Sequence, residues 1–171
     1  MFTKFAFILK SDQEGVLELK FPLLQRSLFI GIALLLSTTI LMNLGNPLRQ
    51  YTLPGVFLLI SLFAALYDES WVFNSAGAIH KHGIIFLHRR TEIPSSDIEA
   101  VRLSSFTKGT QDQQILQNKP FYMKTFFVLS LELSDGRIRD IEMVVERQQS
   151  RIEEKGKRIA EQIQKQLRII G

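Results

Sequence analysis

The chain has 171 residues, a formal net charge of +4 and no cysteine. That length holds one modest domain plus membrane segments, and the lack of cysteine excludes disulfides, thiol catalysis and cysteine-ligated metals. Hydrophobic residues make up 46% of the chain, yet of its 21 basic and 17 acidic residues Arg49 alone falls between Ser27 and Tyr67.

In chain order, Phe5, Phe7 and Leu9 alternate, as do Leu17, Leu19 and Phe21, around Ser11-Asp12-Gln13-Glu14-Gly15. This predicts a β-hairpin within residues 1–22 that runs into a membrane segment at Pro22. The apolar run Phe5–Leu9 is too short for a secretory signal.

Residues 23–67 read as a transmembrane helical hairpin. Ser27–Gly45 is uncharged and reaches about 28 Å as a helix, close to a hydrocarbon core of about 30 Å. Tyr51–Tyr67 is shorter, about 25 Å, with Pro54 in its first turn where a missing N–H costs little. Asn46-Pro47-Leu48-Arg49-Gln50 leaves room only for a tight antiparallel turn. Tyr51, Tyr67 and Trp71 are the expected interfacial anchors. Lys4, Lys10, Lys20 and Arg26 precede the first span and only Arg49 lies in the hairpin. Both termini are therefore expected in the cytoplasm.

Residues 68–171 return to a period of two. Trp71 and Phe73 alternate before the turn Asn74–Gly77, and Ala78–His82 and Ile84–Arg90 read as a strand pair around Gly83. Ile98, Val101 and Leu103 mark a further strand. Phe127, Leu129, Leu131 and Leu133 alternate into Ser134-Asp135-Gly136, the strongest hairpin signal in the chain. Ile141, Met143 and Val145 are expected on one face of the returning strand. From residue 148 to 170 the period changes. Ile152, Ile159, Ala160, Ile163, Leu167 and Ile170 form one apolar stripe, and Glu154, Lys155, Arg158, Glu161, Lys165 and Arg168 the polar face. That is an amphipathic helix that packs on a bent antiparallel sheet. Gly156 weakens it by about 1 kcal/mol relative to Ala.

The stretch SWVFNSAGAIHKHGIIFLHRRTEIPSSDIEAVRLSSF, then FFVLSLELSDGRIRDIEMV, then a terminal helix, resembles the bacterial pleckstrin-homology-like (PH-like) membrane proteins. The resemblance covers about residues 68–170 and rests on the aromatic strand, the G-I-I-F strand, the Ile93-Pro94-x-x-Asp97-Ile98 turn and the L-x-L-x-x-G hairpin. It implies an α+β fold: a seven-stranded curved half-barrel plugged by the C-terminal helix, behind two N-terminal transmembrane helices. The layout is also similar to that of the two-span photosystem I assembly factor of chloroplasts and cyanobacteria.

Few residues offer chemistry. His80 and His82 share a strand face and His88 follows, but no cysteine or carboxylate cluster supports a metal, and an exposed strand face is expected. Lys81, Arg89, Arg90, Arg137 and Arg139 are candidates for one basic surface facing an anionic leaflet. The polar insertion Lys108–Lys124 ends in an aromatic cluster. There Phe121 and Tyr122, with Lys119 and Lys124, are candidates for holding lipid or a partner. No nucleophile elbow, Gly-rich phosphate loop or H-E-x-x-H motif is present, and the scattered basic residues carry no nucleic-acid motif. The expectation is a non-enzymatic, cofactor-free protein of the bacterial inner membrane. Its cytoplasmic PH-like domain mediates protein interaction, self-association or assembly of a membrane complex, or senses anionic lipid headgroups.

Overall fold

The computed structural model describes residues 7–11, 16–45, 52–84, 87–108 and 124–170. The first two strands, β1 (Ile8–Ser11) and β2 (Leu17–Lys20), pair antiparallel from Ile8↔Lys20 to Ser11↔Leu17. This is the hairpin that the alternating apolar residues predict. Helix α1 follows over Leu23–Met42. Pro22, in extended conformation at its N-cap, starts it four residues before Ser27, where the uncharged run begins, so Arg26 lies inside the helix and not before it. Helix α2 covers Thr52–Leu66. It spans about 22 Å at 1.5 Å per residue, against about 30 Å for α1. The buried positions on the two helices are Ala33, Ser61 and Ala65, small residues that let two helix backbones approach closely.

α2 passes into strand β3 (Tyr67–Asn74) with no residue between them. β4 (Gly77–Ile84) and β5 (Leu87–Pro94) follow, and the five strands form one sheet in the order β1-β2-β3-β4-β5. Gly83 is not a turn, as the sequence pattern suggests, but lies within β4. Its φ is +153°, and a Cβ there would sit 2.0 Å from the carbonyl oxygen of Leu87. Only glycine admits that backbone and that approach.

The second sheet has the order β8-β7-β6-β9. β6 (Ile98–Lys108) pairs antiparallel with β7 (Lys124–Leu133) as far as Lys108↔Lys124, and β7 pairs antiparallel with β8 (Ile138–Val145). The predicted Asp-Gly hairpin is present: Gly136 N–H donates to the Leu133 carbonyl at 2.8 Å. Helix α3 (Gln149–Gln162) is shorter than the predicted helix over 148–170. The chain reverses at Gln164, whose φ is +56°. Lys165 N–H donates to the Ala160 carbonyl at 2.8 Å. Gln166–Ile170 then forms β9, parallel to β6 from Ala100↔Gln166 to Ser104↔Ile170. The sheet is therefore mixed. The open edge of β6 holds unpaired backbone groups that a further strand satisfies. β-branched Ile169 and Ile170 favour the strand over a continued helix.

The chain divides into two units, Met1–Lys20 with Trp71–His80 and Thr91–Gly171, and Phe21–Ser70 with Lys81–Arg90. The core of the first unit is formed by Leu103, Leu129, Leu131, Ile141, Ile152, Ile159 and Ile163, with Phe7 and Leu19 from the N-terminal segment. Ile152, Lys155, Gly156, Ile159 and Ala160 are the buried face of α3. The molecule is thus α+β, with one N-terminal helix long and apolar enough to cross a membrane and a second, shorter apolar helix.

Candidate functional site

The second unit brings the two helix bases together. Phe21 N–H donates to the Glu69 carbonyl at 3.2 Å. Arg26 forms an ion pair with Asp68. The Phe21 and Tyr67 rings meet edge to face at 6.4 Å, and the Tyr67 hydroxyl bonds Glu69 Oε2 at 3.1 Å. The start of α1 and the end of α2 therefore lie at one level. Outward from that level the helices expose Leu24, Leu28, Leu34, Leu35, Phe57 and Phe63, an apolar surface that water does not favour. Three polar side chains at the far end of α1 turn back onto the helix. The hydroxyls of Thr38 and Thr39 donate to the carbonyls of Leu34 and Leu35, each at 2.8 Å, and Asn43 Nδ2 donates to that of Thr39 at 2.7 Å. A polar group closed on its own backbone tolerates an environment without water.

β4 ends and β5 begins at the same level. The two-residue connection Ser75-Ala76 joins β3 to β4, so the strands run antiparallel and the last residues of β4 lie beside the first of β3. β5 sets out from there at Leu87. Lys81, Leu87, His88, Arg89 and Arg90 are all exposed, Leu87 by 79%. Between Lys81 and Arg90 the sequence has three formal positive charges and no acidic residue. Of the predicted basic surface, this tip thus collects Lys81, Arg89 and Arg90. Arg137 and Arg139 belong to the other unit, where they border a cleft of about 150 Å³ with Asp97 and Asp135. There Asp135 accepts from the Arg137 backbone N–H at 2.9 Å and from its Nε at 2.6 Å. That backbone bond, then the guanidinium, holds the Asp135 carboxyl below its usual range.

Trp71 does not sit as an interfacial anchor. It is 2% exposed, stacked on His80 at 4.1 Å and on Phe73 at 6.0 Å, because the alternation along β3 turns both aromatic residues inward. Tyr67 stays at the surface. Tyr51, Lys119, Phe121 and Tyr122 lie outside the described residues, while Lys124 is exposed at the start of β7. Next to it along β6 and β7, Phe106 and Phe126 stack at 5.4 Å. Among the described residues no group of histidine, aspartate and glutamate is placed to hold a metal.

One cluster has no counterpart in the sequence reading. Lys155, assigned there to the polar face of the helix, is buried, as is Glu142, with side chains 5% and 1% exposed. Lys155 Nζ donates to Glu142 Oε1 at 2.9 Å, to Oε2 at 2.7 Å and to the Phe7 carbonyl at 2.7 Å. Phe7 N–H in turn donates to Glu142 Oε1 at 3.2 Å. Glu142 faces inward because β8 carries a bulge. Leu129 pairs with Glu142 and Ser130 with Asp140, which leaves Ile141 as the extra residue and both Ile141 and Glu142 buried. Past the bulge the alternation inverts, so Val144 points in, and Val145, expected on the apolar face, is exposed. Burial pushes the Glu142 carboxyl up and the Lys155 ammonium down, each opposed by its partner. Neither residue borders the cleft beside Arg137 or the open hollow near Arg158, and the hydrogen bonds of the pair hold the Phe7 backbone in place. Compared with models of known protein families and with curated proteins, the chain matches neither.

Proposed function

We propose that the chain is a two-span integral membrane protein whose β domain is a non-enzymatic docking module on the cytoplasmic face, for a protein partner or a second copy of itself. Assembly of a larger membrane complex is the cellular form such docking would take. One observation carries the reading: segments on both sides of the helical pair build one core. Phe7 and Leu19 precede the helices, and Glu142, Lys155 and Ile159 follow them. A chain that crosses a membrane through α1 must therefore cross back before Trp71, and α2 is the apolar helix available for the return. Its 15 residues are short for a span, a mismatch that local thinning of the bilayer accommodates. The PH-like reading of the domain is supported by the consecutive strands β3-β4-β5 and β6-β7-β8 followed by α3. β9 and the β1–β2 hairpin are additions to that pattern. Positive charge before α1 favours cytoplasmic termini.

The test is crosslinking in intact membranes followed by purification in detergent. A stoichiometric protein partner, or a crosslinked dimer of the chain, is the expected product. Recovery of the monomer alone would overturn the docking module.

A further inference from the structure

We propose that the β4–β5 tip is a leaflet-seating element, in which Leu87 enters the boundary between headgroups and acyl chains and Lys81, Arg89 and Arg90 contact anionic lipid phosphates. This rests on the membrane-anchored reading and adds to it a partner for one surface. Three observations within the second unit carry it. The Phe21–Glu69 backbone bond and the Arg26–Asp68 ion pair fix the level at which the apolar helix surface begins. β3 leaves α2 without a linker, and β4 returns antiparallel to it, so the start of β5 comes back to that level. There the strand presents an exposed leucine followed by a histidine and two arginines. An exposed leucine at a strand end is unfavourable in water, but beside a lipid surface it finds an apolar phase within reach. Side-chain alternation puts Leu87 and Arg89 on one face and His88 and Arg90 on the other, so arginine side chains reach out to either side of the tip. Guanidinium groups bind phosphate oxygens in bidentate fashion. The local positive charge is drawn to an anionic leaflet and falls off within a Debye length, so only groups held near the surface contribute.

The absence of cysteine in the chain makes the test direct. The full chain carrying Leu87→Cys is labelled with an environment-sensitive fluorophore. It is reconstituted into vesicles of phosphatidylcholine, alone or mixed in equal parts with phosphatidylserine. In the mixed vesicles the emission is expected to shift to the blue and to be quenched by shallow spin-labelled lipid. The quenching should fall several-fold in an R89E/R90E background or at high salt. A probe that stays in water in both vesicle types, in protein that alkaline carbonate does not strip, overturns the seating element and leaves the membrane anchor intact. Equal quenching in neutral and anionic vesicles, unchanged by R89E/R90E, overturns the role of the arginines. Protein stripped by alkaline carbonate overturns the membrane anchor, and the seating element with it.

Discussion

Lys155 and Glu142 do more than pair with each other, because they also satisfy both backbone groups of Phe7. Lys155→Met is expected to cost about 3–5 kcal/mol, since it leaves a buried carboxylate without its cation. The double variant E142L/K155M removes that charge and should recover part of the loss. It should not reach the wild type, because each Phe7 backbone group left unpaired costs about 1–3 kcal/mol. Urea unfolding in a fixed detergent measures both. The pH dependence of the single variant has a definite sign. Burial already raises the Glu142 carboxyl, and without Lys155 the native state holds that proton more tightly than the unfolded chain does. The stability this provides is full below about pH 4.3 and is lost as pH rises through the raised native value, so K155M should be more stable at mild acid than at neutral pH. Ile163, 0% exposed where α3 ends, is the second test. Ile163→Asp is expected to cost several kcal/mol and to open the domain to protease. The importance of Ile163 is legible in the sequence, because an apolar stripe at helical spacing marks it. The Lys155–Glu142 pair is not. The bulge that turns Glu142 inward breaks the period of two, and no sequence signal in β8 announces an extra residue there.

At the level of elements, hairpins with strong local chemistry are legible and their ends are not. Ser134-Asp135-Gly136 forms the turn its composition demands, and the β1–β2 hairpin falls where Leu17 and Leu19 alternate. The tail shows the opposite. Leu167 and Ile170 fit a helical stripe and also a strand, and the unfilled edge of β6, a feature of the tertiary fold, decides for β9. Gly156 is another such case. A Cβ there would meet Leu129 Cδ1 at 3.0 Å and Leu167 Cδ1 at 3.1 Å, so the glycine that weakens α3 as a helix lets it lie close on the sheet. Gly156→Ala should therefore fail to deliver the roughly 1 kcal/mol that helix propensity promises, which thermal unfolding reads directly. For the helical pair, Gly45 is exposed just past α1, and a cysteine placed there should react with an impermeant thiol reagent from outside the cell. A cysteine at Lys10 should stay protected until the membrane is opened, and labelling in the reverse sense would invert the proposed topology.

For the whole molecule, the proposed anchor predicts that the protein stays in the membrane pellet through alkaline carbonate. The uncharged run Ser27–Gly45 makes that legible from composition alone. What composition does not show is that the N-terminal segment belongs to the same core as Ile159. The contact that joins them, Lys155 to Phe7, spans 148 positions of the chain. At about 5–20 residues per second on a ribosome, those positions take roughly 7–30 s to synthesise. During that interval Phe7 and Leu19 have no core to enter, while α1 and α2 have already emerged. Insertion of the helices would therefore come first in time and closure of the β domain last. The segment ahead of α1 must wait on its own side as an unfinished edge until Lys155 emerges to hold it.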